Sequence, residues 1–110
     1  MNEHGVTPLF IAAHNGYLAV VEALLGRGAA VDQAAADGVT PLCIAAHQDH
    51  LAVVEVLLDQ GATVDQADIH GATPLFIAAG NGLLAVVEAL LLFVWVKQII
   101  FFVKRDGLKN

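Results

Sequence analysis

The chain has 110 residues, enough for one small domain that buries roughly 60–65% of its unfolded surface. An apolar fraction of 57% argues against disorder, because there is ample surface to set against the entropy of folding, and a net charge of −6 argues against a phosphate-backbone partner. Cys43 is the only cysteine, which excludes an internal disulfide and fits a reducing compartment.

The charge divides along the chain. Residues 1–92 hold ten acids against one base, Arg27, for −9, while residues 93–110 hold Lys97, Lys104, Arg105 and Lys109 against Asp106, for +3. Nucleic acid is therefore not an expected partner of the acidic body. A basic end beside an apolar run suits an anionic membrane surface or an acidic protein. The opening MNEHGVTPLF lacks a basic region followed by an apolar core, so it does not read as a signal peptide, and a cytoplasmic location is expected.

From Gly5 the chain reads GVTPLFIAAHNGYLAVVEALL; from Gly38, GVTPLCIAAHQDHLAVVEVLL; from Gly71, GATPLFIAAGNGLLAVVEALL. The spacing is 33 residues both times, and the connectors at 26–37 and 59–70 also match. A period of this length marks a supersecondary unit rather than helix or strand patterning. In each copy Thr7, Thr40 or Thr73 is placed to cap a short helix whose first residue is Pro8, Pro41 or Pro74, where the missing N–H costs nothing. That helix ends near Gly16, Asp49 and Gly82; Asp tolerates the left-handed conformation less well than Gly, so the middle copy is the odd one. A second helix, LAVVEALL in the first copy, is expected to bury Leu18, Val21, Leu24 and Leu25 at 3–4 spacing. Gly28 and Gly61 close it.

These units resemble ankyrin repeats, whose pattern is G-x-T-P-L-H-x-A-A…G-H…V-V-x-L-L…G-A-x-V-N. The resemblance covers roughly residues 2–92 and implies an all-α solenoid of three helix-turn-helix units (about 2–34, 35–67 and 68–92) with loops projecting from one side. Three departures stand out. The family's His after T-P-L is Phe10, Cys43 and Phe76, where packing is expected to replace a polar network. The family's Asn near the turn is Asp32 and Asp65, which can still accept turn hydrogen bonds. After Leu91 the third copy does not continue as xxxGAxVDQ.

Catalytic and metal chemistry find little support. His47-Gln48-Asp49-His50 has the look of a helix-spaced metal pair, but zinc needs three or four converging ligands, and these residues are read as surface loop. Cys43 aligns with Phe10 and Phe76, so it is read as buried packing rather than as a nucleophile. Serine is absent, the threonines serve as caps or, at Thr63, in a turn, and Glu22, Glu55 and Glu88 lie on the polar side of the second helices. No enzyme activity, cofactor or metal is expected.

By resemblance, partners contact the loop tips and the exposed face of the first helices. Those positions are Glu3, His4 and Val6; Ala36, Asp37 and Val39; and Ile69, His70 and Ala72. At the helix ends they are His14, Asn15, His47, Gln48 and Asn81. The implied function is a non-catalytic scaffold that binds a protein or peptide. Ala and Val at the tips supply few aromatic or Arg anchors, so modest affinity is expected.

Residues 93–110 form an apolar and basic extension with three readings. A membrane span needs about 20 apolar residues, whereas Ala89–Val103 gives 15, about 22 Å as a helix, with Lys97 near its middle. An elongated second helix from about Leu84 to Lys104 would place Lys97, Gln98, Lys104 and Arg105 in a narrow polar stripe. Phe93, Trp95, Ile99, Ile100 and Phe102 would then form an exposed association surface. Repeat arrays normally end in polar-faced caps, and the abrupt stop is also the pattern a truncated or spliced array would leave. FVWVKQIIFFV additionally has the composition of an aggregation-prone strand. The alternative function is accordingly a membrane-associated or self-associating adaptor anchored by this tail.

Overall fold

The computed structural model describes residues 2–107, with side chains through Arg105. Six helices follow in order: α1 Pro8–Asn15, α2 Leu18–Gly26, α3 Pro41–His47, α4 Leu51–Asp59, α5 Pro74–Gly80 and α6 Leu84–Phe102. A π-helical turn, Val103–Gly107, continues α6. Residues 108–110, including Lys109 of the predicted extension, lie outside the described residues.

Each unit starts as its sequence dictates. Thr7, Thr40 and Thr73 accept a hydrogen bond through Oγ1 from the backbone N–H of Phe10, Cys43 and Phe76, each at 3.1 Å. One orphan donor of each short helix is thereby satisfied. The left-handed stop appears at Gly16 with φ 74°, at Asp49 with φ 60° and at Gly82 with φ 69°. Asp49 is the one non-glycine residue of positive φ among those described. The middle copy is thus the odd one, with an aspartate where the other two have glycine.

Helices α1, α3 and α5 pack side by side in one layer, and α2, α4 and α6 in a second. The core is therefore thickest in the middle unit, which alone has a neighbour on both sides. In α4, Val53, Val54, Leu57 and Leu58 are all buried. Each contributes about 1.5–3 kcal/mol of burial before chain entropy is set against it. In α2 only Val21 is buried; Leu18, Leu24 and Leu25 are half-buried, which corrects the expectation for that helix. The reason is position: α2 packs on α1 and α4, whereas α4 packs on α3, α2 and α6.

The residues in place of the family's His need a second correction. Cys43 is buried and its Sγ–H donates to the Gln66 carbonyl at 3.7 Å, so the connector to the next unit covers it. Phe10 is half-buried, but Phe76 is 69% exposed. Packing replaces the polar network only where a following connector exists. Past Leu91 the chain runs on as helix, and Phe76 is left uncovered.

The 19 residues of α6 span about 29 Å by the 1.5 Å rise. Val86 and Leu90 are buried and Phe93 and Val94 half-buried, whereas Trp95 through Arg105 are exposed. The second half therefore projects, and the radius of gyration is 14.6 Å against about 13 Å for a compact chain of this length. Along the projection Lys97 Nζ sits 5.2 Å from the Phe93 ring centre, and the Arg105 guanidinium 5.9 and 5.5 Å from those of Phe101 and Phe102. The cations fold onto aromatic faces rather than standing apart from them.

Candidate interaction surface

Each unit begins with a tight loop whose ends are pinned by backbone. Asn2, Ala35 and Asp68 donate N–H to the carbonyls of Val6, Val39 and Ala72 at 3.3, 3.0 and 3.0 Å. Side chains reinforce all three loops, two of them from the loop's first residue. Asn2 Oδ1 accepts from the N–H of His4 and of Val6, both at 3.0 Å. Asp68 Oδ1 accepts from His70 at 2.8 Å and Ala72 at 3.0 Å. In the middle unit Ala35 has no oxygen to offer, and Asp37 Oδ1 takes the Val39 N–H at 3.1 Å instead. The two backbone donors, Ala72 first and then His70, hold the Asp68 carboxyl below the usual carboxylate range. Asn2 and Asp68 were not among the expected site residues. Their signal in the sequence is a short polar side chain three residues before the turn glycines Gly5 and Gly71.

The loops are also tied to one another. Ala36 donates to the His4 carbonyl at 2.8 Å, and Ile69 to the Asp37 carbonyl at 3.0 Å. A Cβ on Gly5 would lie 3.1 Å from Ala36 N, so glycine permits this approach. The three tips therefore stand in one row. Glu3, His4, Ala36, Asp37, Ile69 and His70 are exposed along it, and Val6, Val39 and Ala72 are half-buried at its base. His4 Nε2 lies 3.7 Å from Glu3 Oε1 in full solvent, a contact of little energetic weight.

The second set of expected residues sits at the far ends of the first helices. His14, Asn15, His47, Gln48 and Asn81 are exposed there. Asn15 Nδ2 donates to the Ile11 carbonyl at 3.1 Å, and His47 Nδ1 lies 3.1 Å from Gln48 Nε2. The eight residues of α1 put about 12 Å between the two sets. In the middle unit only Ile44 shows partial exposure between them, since Leu42, Cys43, Ala45 and Ala46 are buried. The first-helix face is thus narrower than expected.

His50 departs from its reading as a surface loop residue. Its ring is half-buried, and Nε2 lies 3.0 Å from the His14 carbonyl oxygen, an N–H donation that ties the middle unit to the first. A Cβ on Gly16 would lie 2.6 Å from that ring. Thr63 is likewise more than a turn residue. Its N–H and Oγ1–H both donate to the Asp32 carboxylate, at 3.0 and 2.7 Å. Among the described residues no group of three or more His, Cys, Asp or Glu is placed to hold a metal ion. Burial pushes the Cys43 thiol above its ordinary range.

Paired helices, Thr-Pro starts and a row of linked tips recur three times, and the family description for ankyrin repeats matches in three copies over residues 9–97. The chain belongs to the ankyrin repeat family. No curated protein matches it. Ankyrin repeats are protein–protein interaction modules in general. In this ankyrin chain the row of tips is the part of the surface where the three copies differ most in residue type, while the buried positions repeat.

Proposed function

We propose that this ankyrin stack binds a protein or peptide along the row of loop tips and the first-helix ends, without a catalytic step. The observation that carries the reading is the cross-linking of the tips through the His4 and Asp37 carbonyls, which pre-orders nine exposed or half-exposed residues into one strip. A strip ordered before binding loses less conformational entropy when a partner docks. Glu3 and Asp37, with the half-buried Asp68 beneath the third tip, make its charge negative, so a basic or neutral partner segment fits better than an acidic one. Ile69 is the largest apolar side chain on the strip and 67% exposed, and it is the natural anchor. The lone buried thiol and the acidic body suit the cytosol. The test is capture of proteins from cytosolic extract by the whole chain and by Asp37→Arg and Ile69→Asp. Proteins retained by the parent and lost from both variants support the reading.

A second reading rests on α6. With its π-helical continuation α6 gives an unbroken helical stretch, Leu84–Arg105, of 22 residues whose most apolar 18-residue window has mean hydropathy 2.2; by length and composition it can cross a membrane, and 11% of that window is buried. Membrane association through this segment competes with packing of Val86 and Leu90 on the repeats, so surface attachment through its projecting half is the form that keeps the stack whole. Flotation of the whole chain with anionic vesicles, abolished by Trp95→Asp with Phe102→Asp, is the expected result for that reading.

A further inference from the structure

The three copies are near-identical in sequence, so differences in burial between them show which residues a neighbouring unit covers. Val53 and Val86 are 1% and 0% exposed while Val20 is 48% exposed. Pro41 and Pro74 are buried while Pro8 is exposed, and Leu57 and Leu90 are buried while Leu24 is only half-buried. These three positions face the preceding unit. In the opposite sense, Leu84 is 69% and Leu91 50% exposed, whereas Leu18 and Leu25 are half-buried and Leu58 is buried. Ala13 and Ala46 are buried and Ala79 exposed. With Phe76 and Val87, these positions face the following unit.

The residues exposed on the first unit and those exposed on the last fit each other. The first end offers Pro8, Val20 and Leu24, the same residues as Pro41, Val53 and Leu57. The last end offers Phe76, Leu84, Val87 and Leu91, the same residues as Phe10, Leu18, Val21 and Leu25. The internal junction between the first two units is therefore matched, residue for residue at these positions, by the last unit of one chain placed against the first unit of another. The glycines agree. The space beside Gly16 is filled by the His50 ring and that beside Gly5 by the next tip, but nothing lies within 4 Å of a Cβ built on Gly82 or Gly71. Tyr17, 60% exposed at the position of His50, is available for the first gap. At the tips, Glu3 occupies the repeat position at which Ala36 and Ile69 donate, and His70 the position at which His4 and Asp37 accept.

We propose that the chain associates head to tail with a second copy of itself, the third unit of one copy stacking on the first unit of the next as the first two units stack within a chain. Such a contact is heterologous and does not close, so it extends with concentration. The projecting half of α6 carries the same side onward, with Trp95 about one and Phe102 about three helical turns beyond Leu91. Val20 and Leu84 lie outside the tip strip, so substitutions at these two positions leave the strip intact.

Sedimentation velocity of the whole chain over a wide range of concentration tests the proposal, using Val20→Glu at the first end and Leu84→Glu at the last. Both residues are solvent-accessible in the single chain, and circular dichroism checks that the helices persist. If either glutamate disturbs folding, Val20→Thr and Leu84→Thr give the same pattern at smaller amplitude. The expected result is concentration-dependent growth of the parent, with association weakened at least about tenfold in either variant alone, equivalent to about 1.4 kcal/mol. An equimolar mixture of the two variants retains one intact junction and is expected to form dimers and stop there. A parent that stays monomeric throughout overturns the proposal. So does a Val20 variant that associates as the parent does, which would assign association to the tail, or a mixture that remains monomeric.

Discussion

The Asp32 carboxylate reaches from one connector to the next and accepts both the N–H and the hydroxyl of Thr63, 31 residues away. The equivalent acceptor in the following connector, Asp65, has its complementary position at Val96, inside a continuous helix. A device that ties successive units together is therefore present once and then interrupted.

Removing it tests how much the tie contributes. Thr63→Val keeps the shape and deletes the hydroxyl donor, and a loss of about 1 kcal/mol in unfolding free energy is expected, because the pair is largely in solvent. Asp32→Ala loses both bonds and is expected to cost somewhat more. A double-mutant cycle by urea denaturation should give a coupling of about 0.5–1.5 kcal/mol. Additivity of the two changes would show that the contact carries no stability.

The three caps are chemically alike and differ in burial. Thr40 is fully buried, with its Oγ1 on Cys43 N–H, whereas Thr7 and Thr73 are half-buried. Thr40→Ala is expected to cost about 2 kcal/mol and Thr7→Ala about 1 kcal/mol or less, since only the first leaves a donor cut off from water. Thermal melts of the two variants provide the comparison.

Asp49 holds a left-handed conformation that glycine holds at the equivalent places. Asp49→Gly relieves the contact between Cβ and backbone and is expected to stabilise the chain by about 0.5–1 kcal/mol, the gain being partly offset by the added freedom of glycine when unfolded. A fall in melting temperature would mean that the aspartate side chain contributes more than its conformation costs.

The period was legible because the copies are near-identical, the long last helix because its apolar run continues past the third copy, and the caps and left-handed stops because each depends on residues within one helical turn or one turn of loop. What escaped was the contact between units. His50 on His14, Thr63 on Asp32 and Ile69 on Asp37 join residues 31 to 36 positions apart, and only the stack brings them together. Phe76 was read from its copies as packing, yet its cover is a connector that its own unit does not have. The tip anchors Asn2 and Asp68 were overlooked because the middle copy, with Ala35, breaks their repetition. The tip residues themselves were placed on the exposed strip by the family pattern, while the first-helix face between the two sets is mostly closed by α1 and α5 flanking α3.

Asp68 makes the third tip sensitive to acid. Its folded-state carboxyl is held below the usual range by the backbone donors Ala72 and His70. The bonds contribute fully above the ordinary carboxylate range and are lost as pH falls through the lowered value. The amide resonances of His70 and Ala72 are therefore expected to titrate together below that range. In Asp68→Asn, which keeps an acceptor oxygen as Asn2 does, they should stay fixed.

The most direct measurement of the interaction strip is quantitative capture from cytosolic extract with three forms of the whole chain: the parent, Ile69→Asp on the strip, and Glu55→Arg on the exposed side of α4. The expected result is a set of proteins held by the parent and by Glu55→Arg and lost from Ile69→Asp. Capture that is indifferent to Ile69 and lost with Glu55 would contradict the assignment and move the binding face to the second helices.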